Sequence, residues 1–180
     1  VPGTDDAKFV SDPGNFNVDY TYGDNDVRHR VVLSGVWSFD SYAQSISSGW
    51  MRGLASGWTI SGIASYQTGQ PFTPIVNADL NNDGNAANDV APGFRRNSMR
   101  LPSQFSVDPR ITRDIAFGAA RLQLIAEAFN VLNRSNVSNV NRTYYSYSSS
   151  AQELTPLTTF NTPTVSVGPR IIQLAAKLSF

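Results

Sequence analysis

The densest group of metal-capable side chains is the run Asp79-Leu80-Asn81-Asn82-Asp83-Gly84-Asn85, which sets oxygen donors at alternate positions ahead of a glycine. That spacing resembles the opening of a calcium loop, because Ca²⁺ takes about six to eight oxygen ligands and the glycine permits the sharp turn. Where a bidentate glutamate would close the cage stands Val90, with Asp89 one residue early. Asp79, Asn81, Asp83 and Asp89 are therefore the candidate ligands for a Ca²⁺ that would stiffen an outer loop, and a solvated Asn/Asp/Gly turn is the competing reading. Calcium is the one cofactor the sequence offers.

Catalytic chemistry finds less support. His29 is the single histidine, flanked by Arg28 and Arg30. A Ser-His-Asp arrangement would need it as the base, but no nucleophile elbow, Gly-rich phosphate loop or His/Glu metal pair accompanies it. The chain is not expected to be an enzyme. Cysteine is absent, which excludes disulfides, thiolate metal sites and a cysteine nucleophile together. Lys+Arg 14 against Asp+Glu 14 leaves no net charge to attract nucleic acid.

The remaining polar candidates lie on alternating segments. Asp108 and Arg110 fall beside Gln123 and Glu127 across a hairpin, with Gln173 and Lys177 on a following strand. Such cross-strand charges solvate the interior wall of a barrel or offer a docking surface to a plug. The elements that would carry them repeat with period two. In 169–180, Ile172, Leu174, Ala176, Leu178 and Phe180 share a face; in 121–130, Leu122, Leu124, Ala126 and Ala128 do. In 105–116, Val107, Pro109, Ile111 and Ile115 share a parity, and Pro109, lacking a ladder donor, predicts a bulge or local break. Segments 31–39 and 58–67 alternate in the same way, so about five to six strands are expected, each near the roughly 9 to 11 residues of a tilted transmembrane strand.

Hydrophobic residues make up 41% of the 180, yet no stretch approaches the roughly 20 apolar residues of a spanning helix. A membrane crossing would therefore require a β-barrel, which satisfies every backbone polar group. Trp37, Phe39, Trp58, Tyr66 and Phe180 lie near strand ends on the apolar parity, where interfacial girdles belong. Arg113 shares that parity, and near the turn at 118–120 it can snorkel at a cost of about 0 to 1 kcal/mol. Barrels of this kind keep short turns on the periplasmic side and long loops outside. With Phe180 in the periplasm, 133–168 and 69–103 become extracellular loops and 118–120 a periplasmic turn. The long periplasmic connection 41–56 repeats Ile46, Trp50 and Leu54 every four residues, which fits a helical turn, but Gly49 and Gly53 argue against a stable helix. The three Asn-x-Ser/Thr triplets at Asn133, Asn136 and Asn141 read as polar loop, and Tyr144, Tyr145 and Tyr147 as either loop filler or an exposed contact surface.

From Asp19 onward several stretches look like one family. Asp26-Val27-Arg28-His29-Arg30-Val31-Val32-Leu33-Ser34-Gly35 resembles a strand of the Oar-like TonB-dependent outer-membrane receptors. So do Gly57-Trp58-Thr59-Ile60-Ser61-Gly62, Thr68-Gly69-Gln70-Pro71-Phe72-Thr73 and Leu122-Gln123-Leu124-Ile125-Ala126-Glu127-Ala128-Phe129-Asn130-Val131-Leu132-Asn133. The ending Pro169-Arg170-Ile171-Ile172-Gln173-Leu174-Ala175-Ala176-Lys177-Leu178-Ser179-Phe180 is similar too. The resemblance implies an all-β, antiparallel transmembrane β-barrel segment in the bacterial outer membrane: residues 1–180 as the carboxy-terminal part of a barrel of about 22 strands, without its plug. The opening Val-Pro-Gly-Thr-Asp has no initiator methionine and no signal peptide, as expected of a fragment or a processed product.

Implied partners are outer-membrane lipid, the remaining barrel strands, the plug domain, and the TonB system acting through an amino-terminal part. The barrel-assembly machinery would read Ile172, Leu174, Leu178 and Phe180 as its signal. The implied function is uptake or binding of an unidentified ligand. A secreted or surface-displayed β-protein with a structural or adhesive role, stiffened by calcium, is the alternative.

Overall fold

Each alternating segment becomes a strand of one antiparallel sheet. In chain order these are β1 (Arg30–Ser38), β2 (Trp58–Gln67), β6 (Gln104–Phe117), β7 (Ala120–Phe129) and β12 (Ile171–Ser179), hydrogen-bonded in the order β1-β2-β6-β7-β12. The remaining strands are short: β3 (Pro71–Phe72), β4 (Ile75–Val76), β5 (Met99–Arg100), β8 (Asn136–Val140), β9 (Thr143–Ser148), β10 (Glu153–Pro156) and β11 (Pro163–Val167). The computed structural model describes residues 10, 11, 14–82, 84, 86 and 89–180. It divides into two units: Val1–Arg28 with Thr68–Ser103 and Asn136–Val167, and His29–Gln67 with Gln104–Ser135 and Gly168–Phe180.

The sheet unit keeps its parity across all five strands. Leu174 stands opposite Ala126, Ala126 opposite Ile111, Ile111 opposite Ile60 and Ile60 opposite Trp37, so one row of apolar side chains crosses the whole face. The neighbouring row, on the other face, runs Gln173, Glu127, Arg110, Ser61 and Val36. A one-residue slip anywhere would exchange the faces. The apolar one is exposed among the described residues: Leu174 is 80% exposed and Trp37 67%. Within this unit Ala43 is the one fully buried apolar residue among those described. A sheet with a continuous greasy face and no core of its own must find its apolar solvent elsewhere.

Pro109 does not bulge its strand against β2. The β2–β6 register runs unbroken from Trp58↔Arg113 to Gln67↔Gln104, with Gly62 opposite Pro109. Gly62 supplies the room, since a Cβ there would approach the Pro109 Cα and the Asp108 carbonyl to 3.3 Å. The missing donor shows on the other side, where the β6–β7 ladder begins only at Arg110↔Glu127. At the opposite end of that ladder Phe117 pairs with Ala120 across a two-residue loop. Gly118 takes the positive φ of +60° at its first position, as a type II′ hairpin requires.

Between β1 and β2 the chain forms two short helices despite the glycines, α1 (Asp40–Gln44) and α2 (Gly49–Ala55). Side chains that sequence periodicity does not weigh hold them. The Asp40 carboxylate accepts from the Ser38 hydroxyl at 3.1 Å and from the Gly57 N–H at 2.8 Å. Arg52 donates twice to the Ile46 carbonyl, at 3.0 and 2.8 Å. The carbonyls left open at the end of α2 are also met: Leu54 accepts from the Trp58 indole at 2.8 Å and Gly53 from Arg113 at 3.2 Å. These bonds offset the cost of about 1 kcal/mol that a helical glycine carries.

The second unit corrects the expectation of plain loops. Segments 69–103 and 133–168 carry the small strands, with β10-β9-β4, β11-β8 and β3-β5 as three separate sheets. Phe72, Val137 and Val140 are buried together, with Met99, Leu101 and Phe160 packed against them. The triplet beginning at Asn136 is therefore strand, and Asn136 itself is buried. Tyr144 packs edge-on against Phe160 with centroids 4.8 Å apart, and Phe94 lies 4.8 Å away, so this tyrosine is structural mortar rather than loop filler.

Candidate functional site

The polar face of the sheet holds most of the expected residues, though not all in the expected pairs. Arg110 and Glu127 form an ion pair at 3.0 Å. Gln123 instead donates to Asp114 at 3.1 Å, four residues beyond Arg110 along β6. Gln173 stands opposite Glu127, and Lys177 opposite Gln123, so Lys177, Gln123 and Asp114 form a second polar row. At the far end Gln67 donates to Gln104 at 2.8 Å.

Asp108 has a different task. Its Oδ1 accepts from the Ser106 hydroxyl at 2.6 Å and from the Asn130 N–H at 2.8 Å, capping the point where the chain leaves β7. Asn130 is only 7% exposed and has a positive φ of 49°. Its side chain donates to the Arg134 carbonyl at 2.9 Å and accepts from the Arg134 N–H at 3.1 Å. Asn133 repeats the conformation at φ 51° and accepts from the Arg170 N–H at 3.3 Å, just before β12 begins. Two asparagines thus splice the end of β7 to the start of β12. Asparagine suits both, because its short amide tolerates the left-handed region and bonds locally.

The calcium candidates fare unevenly. Asp79 already serves the loop itself, accepting from the Gly84 N–H at 2.8 Å. Asp89 is 7% exposed, and its carbonyl accepts from Val76 at 3.0 Å beside the Ile75↔Val90 bridge. Asn81 is exposed, and Asp83 lies outside the described residues. Among the described residues no three of His, Cys, Asp or Glu gather around one point. His29 stands exposed immediately before β1, and Arg113 lies over the Trp58 ring at 5.0 Å, near the turn end of the sheet.

One feature of the other unit has no counterpart in the motif reading. A cavity of about 380 Å³ is lined by Tyr22, Arg28, Arg95, Arg96, Asn97 and Arg100, with Thr21 and Ser98. Asn97 organises it. This residue is 5% exposed and left-handed at φ 54°; its N–H donates to Thr73 Oγ1 at 2.9 Å, and its amide donates to the Tyr22 carbonyl at 2.8 Å and to Asp24 at 2.6 Å. Two segments more than seventy residues apart in sequence are pinned together by one amide. Arg28 and Arg100 both lie over the Tyr22 ring, at 4.7 and 5.4 Å from its centre. The adjacent arginines 95 and 96 were the visible signal in the sequence; their convergence with Arg28 was not.

The sheet has no helical alternative for crossing a membrane, since no described helix is long and apolar enough. A family model described as an outer membrane beta barrel domain matches residues 1–93, just over half of the 180-residue chain. No curated protein and no solved structure matches. The matched part contains β1, β2 and the connection 69–103 as far as residue 93.

Proposed function

Since the chain belongs to the outer membrane beta barrel domain family and so resides in the bacterial outer membrane, we propose that it forms part of the wall and outer surface of a TonB-dependent receptor that takes up or binds a ligand at the cell surface. The family membership does not fit a secreted β-protein, and the structural or adhesive role then belongs to a barrel displayed at the surface. The apolar face meets lipid, and the row of Gln173, Glu127 and Arg110 turns to the lumen, where a plug would dock.

The observation that carries the receptor reading is the state of the long connections. In a barrel these lie outside, and here they fold around a buried cluster of Phe72, Val137 and Val140 with a cavity of their own. A pre-formed surface of that kind suits ligand capture, because ordering is completed before the ligand arrives. The order of the receptor-like stretches, from Asp26-Val27-Arg28-His29 to Lys177-Leu178-Ser179-Phe180, adds support. Two edges, β1 and β12, pair on one side only among the described residues. Lipid does not tolerate an open edge, so further strands complete the wall.

The test is physical contact with the energy source. The intact protein, purified in detergent, should retain the periplasmic domain of TonB on a column and crosslink to it in cells. A protein that does neither, and whose reading frame has no plug, is a barrel of another kind.

A further inference from the structure

From the arginine-lined cavity we propose a binding site for a small solute bearing oxyanion groups, phosphate or carboxylate. Four guanidinium groups, those of Arg28, Arg95, Arg96 and Arg100, line it, and no carboxylate is among the described lining residues. Asp19, Asp24 and Asp26 pair with two of these arginines. Asp26 pairs with Arg100, whose Nη1 is also held by the Asp26 and Gly69 carbonyls at 3.0 Å each. Arg96 pairs with Asp19 at 3.8 Å and with Asp24 at 3.7 Å. Arg28 and Arg95 are exposed and form no ion pair among the described residues. The guanidinium groups of Arg28 and Arg95 are thus the ones presented to an incoming anion.

Fixed geometry makes this more than a charged patch. Arg100 is clamped, Tyr22 places its ring beneath Arg28 and Arg100, and buried Asn97 locks the loop bearing Arg95 and Arg96 against the Tyr22 segment. Planar guanidinium forks match carboxylate and phosphate oxygens with paired hydrogen bonds, and stacking on an aromatic ring pre-orients them. The cavity's 380 Å³ is near the lower end of the roughly 300 to 1,000 Å³ of small-molecule sites, which suits a solute rather than a polymer. The oxyanion could belong to a free solute or to the phosphates of outer-leaflet lipopolysaccharide. The site needs the barrel topology only to face outward, and its binding does not depend on TonB.

Calorimetry on the intact protein in lipid-free detergent, titrated with inorganic pyrophosphate and then citrate, tests the proposal. Binding should weaken at least tenfold in the double variant Arg28→Gln/Arg95→Gln, and should not change in Arg121→Gln on the sheet. Unaltered heat-modifiable gel mobility of the variant separates lost binding from lost folding. Added lipopolysaccharide that displaces pyrophosphate from the wild type alone identifies the lipid phosphate as the natural source; pyrophosphate binding that lipopolysaccharide leaves untouched identifies a solute. No heat with pyrophosphate, citrate or lipopolysaccharide overturns the site, as does binding that survives the double substitution. Failure to engage TonB would leave this result standing, so the two readings fail separately.

Discussion

Asn130 shows how much a single amide can carry at the end of a membrane strand. It satisfies the Arg134 backbone in both directions and occupies the left-handed region, while Asp108 caps its own N–H. Asn130→Ala should lower stability by about 1 to 3 kcal/mol, since buried donors and acceptors lose their partners. Urea unfolding of the protein in lipid vesicles would read the shift, and Asn130→Gly, which keeps the backbone conformation, should recover only part of it. Gly57 makes a complementary case. It has a φ of +76°, a Cβ there would collide with the Asp114 carbonyl, and its own carbonyl accepts from the Asp114 N–H at 2.9 Å beside the start of the β2–β6 pair. Gly57→Ala is expected to cost more than about 1 kcal/mol in the same assay, by strain rather than by a lost contact.

At the scale of the strand, the two faces make opposite demands on the same substitution. Leu174 and Gln173 are neighbours on β12, and their side chains leave on opposite sides. Leu174→Arg should destabilise the barrel by about 2 to 4 kcal/mol near the bilayer midplane, whereas Gln173→Arg should be close to neutral on the lumen side. Equal effects in vesicle unfolding would reject the assignment of faces. The end of β12 carries a separate prediction. Phe180 follows the last paired residue, Ser179, and is 97% exposed, so its removal sacrifices almost no packing. Deleting it should instead reduce the heat-modifiable, membrane-inserted fraction in cells, as expected of an assembly signal read with Ile172, Leu174 and Leu178. Normal insertion of the truncation would count against that role.

At the scale of the whole molecule, two units divide the work by the solvent they use. The sheet has an apolar face and no interior, so its stability depends on lipid, while the other unit buries its own cluster of Phe72, Val137 and Val140. Phe72→Ala should cost the second unit about 3 to 5 kcal/mol, the usual penalty for an emptied aromatic site. The expected outcome is rapid protease cleavage in 69–103 and 133–168 on intact cells, with the heat-modifiable barrel retained. Loss of both together would mean that the units do not fold separately.

The sequence by itself determined the five long strands and their faces, and its family resemblance implied the compartment. Period-two alternation is a local signal, and in 121–130 or 169–180 it persists long enough to set boundaries within a residue or two of β7 and β12. The polar set of Asp108, Arg110, Gln123, Glu127, Gln173 and Lys177 followed from parity alone, because side-chain direction in a strand is fixed by position. Register decided the partners: Arg110 with Glu127, but Gln123 with Asp114, and Asp108 with the Asn130 backbone. The helices in 41–56 were hidden because the bonds offsetting Gly49 and Gly53 come from Trp58 and Arg113, beyond the segment itself. Strands of two to six residues in the long connections were hidden for the same reason, since their pairing is non-local and their period too short to recognise. The arginine cavity belongs to this second class. Tyr22 and Arg28 meet Arg95, Arg96 and Arg100 only because Asn97 bonds the Tyr22 carbonyl across 75 residues of chain, a contact that no spacing in the sequence announces.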